Sequence, residues 1–188
     1  GKALCASPAV RHLSFTGSTP VGRILMEQCA PTIKKVALEL GGHAPFIVFE
    51  DADLDAAVEG AIQSKYRNAG QTCVCTNRFY VHHSLHDAFV QKLAEATKKI
   101  KVGPGLEPGS QLGPLIDQQA VDKVKSHVAD AIQKGAKLVI GGKPHALGGT
   151  FYEPTVLSNV KKGMLITEEE TFGPVAAVIP FNTEAEVI

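Results

Sequence analysis

Apolar positions along the chain follow two periods, one typical of buried strands and one of amphipathic helices. Short apolar runs bounded by glycine, proline or polar residues predict strands, and apolar residues three and four positions apart predict helices. The predicted strands or extended segments are residues 10–15, 32–40, 46–49, 79–81, 137–140, 152–160 and 175–181. The predicted helices are residues 21–29, 54–62, 87–101 and 118–134. Strands that alternate with helices in this way predict an α/β fold with a mostly parallel, open sheet.

Polar residues at the predicted helix starts agree with this pattern. Ser18 or Thr19 can cap the first helix, and Pro20 suits its first turn. Asp51 or Asp53 can cap the second helix.

Composition and charge restrict the classes of partner. The 188 residues are 44% hydrophobic and 20% charged, which is typical of a globular protein of one large or two small domains. The 19 basic and 19 acidic residues balance, so the chain lacks the basic surplus of a nucleic-acid or anionic-membrane binder. No apolar run is long enough to span a bilayer. We therefore expect neither nucleic acid nor membrane as a partner.

The cysteine and histidine spacings do not predict a metal site. The four cysteines form no Cys-x-x-Cys pair and no Cys/His cluster with zinc spacing, so a reducing compartment is expected. His82 and His86 are four positions apart, but no third ligand accompanies them in a recognisable pattern. We expect no bound metal.

Residues 65–78 have the local features of a reactive-cysteine site. A helical run ends at residues 68–70, and the polar pair Gln71-Thr72 leads to Cys73 before the next predicted strand. A thiol at such a junction can be exposed beside unpaired backbone N–H groups, which are the conditions that activate a nucleophile. The alternative is that Cys73 is a small buried apolar residue. Local sequence leaves both interpretations open.

Two further segments carry candidate chemistry. Gly17 and Ser18 lie between a predicted strand and a predicted helix start, where free N–H groups can bind phosphate. Their spacing matches neither Gly-x-Gly-x-x-Gly nor a P-loop, so a plain glycine turn is the alternative. Glu39 lies between Leu38 and Leu40; apolar surroundings would disfavour its charged form and suit a general base. The alternative for Glu39 is an exposed glutamate at a strand end.

Four motifs in chain order resemble signatures of the aldehyde dehydrogenase superfamily, and the likeness extends through essentially the whole chain. They are the cofactor loop at 15–19 (Phe-Thr-Gly-Ser-Thr), the glutamate signature at 38–42 (Leu-Glu-Leu-Gly-Gly), the active-site cysteine signature at 70–73 (Gly-Gln-Thr-Cys) and residues 169–174 (Glu-Glu-Thr-Phe-Gly-Pro), which contain a Glu-x-Phe-Gly-Pro motif. Four motifs together are far more specific than any one. Residues 67–75 resemble the succinate-semialdehyde dehydrogenase branch most.

The resemblance implies a domain organisation. Residues 1–41 would be the C-terminal part of a Rossmann-like NAD(P)-binding domain, and residues 42–188 a catalytic domain that is incomplete at its C-terminal end. The chain would then be the middle of a longer enzyme, inactive as an isolated fragment. The full-length enzyme would be a homo-oligomer, cytoplasmic, or mitochondrial where a transit peptide is present.

The resemblance also implies an activity, which is NAD- or NADP-dependent oxidation of a small-molecule aldehyde, succinate semialdehyde above all, through a cysteine thioester. Cys73 would be the nucleophile, and Glu39 would activate the hydrolytic water. The cofactor-binding residues would be Gly17, Ser18, Glu39, Leu40, Gly41, Glu170 and Phe172. For Phe172 the alternative is ordinary core packing.

Two more residues acquire roles from the same resemblance. Arg67 would bind the substrate carboxylate, and Cys75 would pair with Cys73 in a redox switch. The alternatives are a solvated arginine at a helix end and a buried small residue. Two other function classes remain open for the whole chain: a catalytically silent homologue that keeps the fold, and a thiol hydrolase that pairs Cys73 with a histidine.

Overall fold

The computed structural model describes all residues from 1 to 188, and the chain divides into two compact units. These are Gly1–Gly42 and His43–Ile188. The division falls beside the glycine pair that follows the second predicted strand.

The first unit is built around two parallel strands. Its elements are α1 (Lys2–Ala6), β1 (His12–Gly17), α2 (Thr19–Cys29) and β2 (Lys35–Leu40). The two strands pair in register from His12–Lys35 to Gly17–Leu40, and α2 makes the crossover that a parallel pair requires. Both helices pack on a small core, which consists of Cys5, Leu13, Leu25 and Cys29 with Phe15 and Val36 at its margin.

The second unit contains the remaining elements and a five-stranded sheet. They are β3 (Ala44–Val48), α3 (Leu54–Tyr66), β4 (Thr76–His82), α4 (His83–Thr97), α5 (Gln118–Gln133), β5 (Lys137–Ile140), β6 (Thr155–Ser158), α6 (Leu165–Glu168), β7 (Val175–Phe181) and α7 (Glu184–Val187). The strand order is β3-β4-β7-β6-β5, and only the β5–β6 pair is antiparallel. The mostly parallel α/β sheet predicted from the sequence is confirmed.

The apolar strand β7 and the apolar centre of β6, Val156 and Leu157, explain why this part of the sheet is buried. β6 is buried at every position, and β7 at every position except Pro180. Strands that are buried on both faces need apolar residues at successive positions, because both pleats face packed side chains. The helices supply the cover: Phe89 and Leu93 of α4, and Val124 and Val128 of α5, belong to the same core.

The structure shows which of the predicted capping residues form capping hydrogen bonds. Asp53 caps α3, because its Oδ1 accepts hydrogen bonds from the backbone N–H groups of Asp55 (3.0 Å) and Ala56 (3.1 Å). Ser18 is the N-cap residue of α2, but its hydroxyl makes no capping hydrogen bond. Asp117 caps α5 through Ala120 N–H at 2.8 Å.

Several predicted boundaries are wrong. Residues 32–34 were predicted to belong to the second strand, but Ala30–Thr32 form a 3₁₀ turn and Ile33 is left-handed (φ 49°), so β2 begins at Lys35. α4 begins at His83 rather than at residue 87, so its first turn includes His86. The short α1 was not predicted, since a single helical turn contains too few positions to establish a period. No helix of the structure has both the length and the apolar character needed to cross a membrane.

Candidate active site

A strained backbone segment connects the end of α3 to the candidate nucleophile. Asn68 (φ 52°, ψ 34°) and Ala69 (φ 55°, ψ 31°) are both left-handed, and Gly70 follows with φ 74°. Left-handed conformations are costly for residues with a Cβ and persist only where surrounding contacts hold them. Gly70 has to be glycine for a second reason, since a Cβ there would collide with the carbonyl oxygen of Gly173.

Cys73 and Cys75 lie in very different environments. Both thiols are free, but Cys73 is exposed and Cys75 is buried. The chain turns between them, with the Cys75 N–H donating to the Thr72 carbonyl at 3.1 Å, and Val74 at the turn is 73% exposed. The alternative that Cys73 is a buried core residue is therefore wrong, and the buried position belongs to Cys75.

A buried lysine lies beneath this turn. Lys65 is 0% exposed, and its Nζ donates to the Thr76 carbonyl at 2.9 Å and to Asn77 Oδ1 at 3.4 Å. Burial lowers the pKa of Lys65, while the neighbouring Cys75 thiol opposes that shift. The Cys75 thiol itself points inward, 3.3 Å from the Thr76 carbonyl oxygen. The Lys65 amino group thus fixes the start of β4 from inside.

Gln71 joins the nucleophile turn to the loop before α5. Its Nε2 donates to the carbonyls of Asn68 (3.2 Å) and Pro114 (3.3 Å), and its Oε1 accepts from Ile116 N–H at 2.9 Å. Asn68 Nδ2 in turn donates to the Gln71 carbonyl at 3.1 Å. A single side chain therefore cross-links two loops that lie far apart in sequence.

Residues 169–174 lie against the same turn, through the close approach of Gly173 to Gly70. Within this segment Thr171 is buried, whereas Phe172 is left-handed (φ 54°) and 37% exposed. Because the Phe172 ring is partly exposed, the alternative that it is an ordinary core residue is wrong. Glu170 is half-buried, and its carbonyl accepts a hydrogen bond from Lys123 Nζ.

His127 of α5 contacts this segment from inside the core. Its Nδ1 lies 3.1 Å from Thr171 Oγ1, and its Nε2 lies 3.7 Å from a carboxylate oxygen of Glu169. Burial lowers the pKa of His127, the positive charge of Lys123 lowers it further, and Glu169 acts in the opposite direction.

Arg67, the candidate substrate-binding residue, is exposed at the end of α3 and forms no ion pair in the structure. Its guanidinium is therefore available to an anion. In sequence, Arg67 lies six positions before Cys73, and the left-handed residues 68–70 come between them.

In the first unit, Gly17 and Leu40 are register partners at the carboxyl ends of two parallel strands. Ligands in open α/β sheets bind at this edge. Gly17 and Ser18 are exposed, and the uncapped N-terminus of the eleven-residue helix α2 follows directly. Free N–H groups and an unengaged hydroxyl at a helix N-terminus are the donors that a pyrophosphate needs, so these residues fit a dinucleotide.

The expected apolar surroundings of Glu39 are wrong. Glu39 is exposed, and its register partner in β1 is Thr16. Neighbouring side chains along a strand point to opposite faces, so Leu38 and Leu40 do not enclose the carboxylate between them.

The histidines that were considered for a metal site have hydrogen-bonding partners. His82 contacts Ser84 Oγ through Nδ1 (2.8 Å) and the Asn182 carbonyl through Nε2 (3.1 Å), and His86 contacts Asp87. The structure contains no group of three or more His, Cys, Asp or Glu side chains that could hold a metal ion.

Sequence reasoning missed three residues of this region. Lys65 could have been found from helical spacing, because it lies four positions after buried Ala61 on the inward face of α3. The sequence indicates only that Gln71 is polar and precedes Cys73, and carries no signal for its contacts with Pro114 and Ile116. His127 falls on the apolar stripe of α5, and the sequence carries no signal for its partner Thr171.

An exposed cysteine at a strained turn, placed at the start of a parallel strand, defines an α/β protein with a candidate cysteine nucleophile. Residues 1–188 match the protein family described as the aldehyde dehydrogenase family, and the chain belongs to that family.

Named relatives support the same placement. The chain is 64% identical to a glutarate-semialdehyde dehydrogenase of Pseudomonas aeruginosa and 58% identical to a succinate-semialdehyde dehydrogenase [NADP(+)] of Escherichia coli. Each match covers 100% of this chain and 39% of the relative. The crystal structure of a succinate-semialdehyde dehydrogenase from Burkholderia pseudomallei superposes with a TM-score of 0.98 at 64% identity, covering 99% of this chain and 39% of that one. The predicted aldehyde dehydrogenase-like fold is confirmed.

Proposed function

We propose that the complete protein oxidises an aldehyde to a carboxylic acid with NAD or NADP, through a thioester on Cys73. The observation that carries this proposal is the exposed, free thiol of Cys73 on a turn held by the buried hydrogen bond of Lys65 on one side and by the hydrogen bonds of Gln71 on the other. Membership of the aldehyde dehydrogenase family supports the reaction class. The substrate we propose is succinate semialdehyde.

Cys73 is the proposed nucleophile. Its thiolate attacks the aldehyde carbon, and the carbonyl oxygen becomes an oxyanion that needs hydrogen-bond donors. The backbone N–H of Cys73 donates no hydrogen bond within the chain and is a suitable donor. Gln71 and Lys65 keep this N–H in place, because they brace the turn at both ends.

Cofactor-binding roles are proposed for residues of three of the signature motifs. Gly17 and Ser18 offer the helix N-terminus to the pyrophosphate, next to Leu40 and Gly41 at the adjoining strand end. The Glu170 carboxylate would accept hydrogen bonds from the nicotinamide ribose hydroxyls, and the part-exposed ring of Phe172 would flank the nicotinamide. The nicotinamide, when bound, supplies the hydride acceptor that neither thiol nor carboxylate can provide.

Glu39 is the proposed general base. Its carboxylate accepts a proton from a water that attacks the thioester carbonyl, which releases the carboxylic acid and regenerates the Cys73 thiol. As a strand-end carboxylate, Glu39 also lies beside the proposed cofactor residues Leu40 and Gly41 in sequence.

Arg67 is the proposed selector of aldehydes that carry a second, anionic group. A guanidinium presents a planar fork that matches two carboxylate oxygens. Glutarate semialdehyde, which is one methylene longer, is the competing substrate, and one methylene discriminates weakly in binding.

The test uses a full-length protein that contains this sequence, assayed with succinate semialdehyde and NAD or NADP. Cys73→Ala should abolish production of the reduced cofactor, while Cys29→Ala, which removes a thiol from the core of the first unit, should retain it. Glu39→Gln should keep a rapid burst of reduced cofactor and then turn over slowly, because acylation precedes the hydrolytic step.

Two outcomes would replace the proposal. Ester or thioester hydrolysis by Cys73 without nicotinamide, and no aldehyde oxidation, would identify a thiol hydrolase. The protein would be a silent homologue if Cys73 is alkylated normally but the protein binds no cofactor and oxidises no aldehyde.

A further inference from the structure

One face of α5 holds the segment that carries Glu170 and Phe172. Lys123 donates to the Glu170 carbonyl, and Val124 packs so closely on Gly173 that a Cβ there would collide with its Cγ2. His127 completes the face one turn further along the helix. His127 lies four positions after Lys123 and three after Val124, and side chains at these two spacings are neighbours on a helix. All three residues contact residues 169–173.

His127 is the buried centre of this surface. It is 2% exposed, and both ring nitrogens point towards the segment, Nδ1 to Thr171 Oγ1 at 3.1 Å and Nε2 to Glu169 at 3.7 Å. Thr171 is buried as well. A buried polar atom without a hydrogen-bond partner costs free energy. His127 and Thr171 therefore both favour the conformation in which their side chains form this hydrogen bond.

The His127–Thr171 contact lies beside an unfavourable backbone conformation. Phe172, the next residue, has φ 54°, a conformation that a bulky side chain keeps only when its neighbours impose it. Thr171 stands between Glu170 and Phe172, so anchoring its side chain fixes the directions in which those two side chains leave the backbone.

We propose that His127 is a positioning residue for the nicotinamide half of the cofactor, which it orients through Thr171 without touching the cofactor itself. This inference rests on the proposed function, because Glu170 and Phe172 are the ribose and nicotinamide residues of that proposal. The lowered pKa of His127 agrees with it: a neutral ring that accepts the Thr171 hydroxyl at Nδ1 carries its proton on Nε2, facing Glu169.

The experiment measures the dissociation constant of NAD (or NADP, whichever the wild type binds) by titration calorimetry on the full-length protein. His127→Phe and Thr171→Val each remove one partner of the contact while filling similar space. Each should weaken cofactor binding about tenfold, roughly the effect of one hydrogen bond. The double variant should bind no more weakly than the weaker single variant, because both changes break the same contact.

Three controls separate positioning from general destabilisation. His127→Asn keeps a polar atom near the Nδ1 position and should recover most of the affinity even if it lowers the melting temperature. His86→Phe replaces another buried histidine, in α4, and should leave cofactor affinity unchanged. The rate of Cys73 alkylation without cofactor, and the KM for the aldehyde, should stay within about twofold of wild type in every variant.

The outcomes are distinguishable. Unchanged cofactor affinity in His127→Phe and Thr171→Val, with lower melting temperatures, would make the contact structural only and overturn this inference alone. Losses that multiply in the double variant would also overturn it, because the two residues would then act independently. If His127→Phe does not fold, Thr171→Val carries the test. A wild-type protein that binds no nicotinamide cofactor would overturn the proposed function, and this inference with it.

Discussion

Cys73 and Cys75 show how two residues of one type, two positions apart, acquire different chemistry. The turn from Thr72 to Cys75 directs Cys73 outward, while the Cys75 thiol faces the carbonyls of Lys65 (3.6 Å) and Thr76 (3.3 Å). An exposed thiol can react with a substrate or an oxidant, whereas a buried thiol has first to leave its contacts. Any pairing of the two therefore requires a local opening of the turn.

We predict that Cys75 nevertheless protects Cys73 from irreversible oxidation. Peroxide would convert the Cys73 thiolate to a sulfenic acid, and the Cys75 thiol would attack it, forming the S–S bond and releasing water. Wild type inactivated by peroxide should recover with dithiothreitol, whereas Cys75→Ala should recover much less. Equal loss and equal recovery in both proteins would show that Cys75 has no part in a switch.

Arg67 gives a prediction about substrate choice. Its exposed guanidinium has no partner in the structure, so Arg67→Ala removes a substrate contact and leaves no other group unpaired. We expect KM for succinate semialdehyde to rise at least about tenfold, in line with loss of a charge-assisted hydrogen bond. KM for butanal, an uncharged aldehyde of the same length, should change less than about twofold. Equal changes for both aldehydes would leave Arg67 with a structural role.

At the scale of elements, the junction after α3 shows how packing holds strained backbone. Asn68, Ala69 and Gly70 are successive left-handed residues, and Ala69 is buried. The hydrogen bonds of Gln71 and the contact of Gly70 with Gly173 hold the segment from two sides. This explains how α3 can end abruptly and still present Cys73 on the surface.

The turn between α2 and β2 carries strain that backbone hydrogen bonds hold but that no side-chain packing of Ile33 offsets. Ile33 has φ 49° and is 91% exposed, so a β-branched residue occupies a left-handed position without packing in return. Asn tolerates this conformation, and Ile33→Asn should stabilise the protein by about 1 kcal/mol. Leu106→Asn removes another fully exposed apolar side chain, at a position without positive φ, and should be neutral. Urea denaturation of both variants tests this, and a destabilised Ile33→Asn would contradict it.

At the scale of the whole molecule, two histidines link stability to pH. Burial lowers the pKa of His43, and Arg78 and Lys65 lower it further against the opposing Thr167 carbonyl and Glu168. His127 is lowered for similar reasons. Between these lowered values and the ordinary 6.5, the unfolded chain binds more protons than the folded one. The free energy of unfolding therefore rises with pH through that window and levels off above it.

The corresponding measurement is the urea midpoint as the pH is raised towards and beyond the ordinary histidine pKa of 6.5. We predict a rise followed by a plateau, with a shallower rise in His127→Phe. Asp130 contributes separately at lower pH, because Lys134 and the Leu165 N–H hold the pKa of its carboxyl below the ordinary 3.8. A midpoint that falls with rising pH in this window would contradict the prediction.

Local patterns were enough to predict much of the fold. The period and length of the apolar runs predicted β1, β7, α2 and α5. A helical period places the apolar residues on one face of a helix, and a short continuous apolar run suits a strand that is buried on both faces. The same patterns could not place the start of β2, which follows a turn, or the start of α4, which follows β4 with no intervening loop. The four signature motifs indicated the family that the comparison then confirmed.

The environments of the candidate site residues depended on contacts between distant parts of the chain. The contacts of Lys65 with Thr76 and Asn77, and the contact of His127 with Thr171, follow from no local pattern. His127 and Thr171 are 44 positions apart, and Gly70 meets Gly173 across more than half the chain. Periodicity specifies which face of an element is buried, but the partner on that face is set by sheet order and register, which only the packed structure fixes.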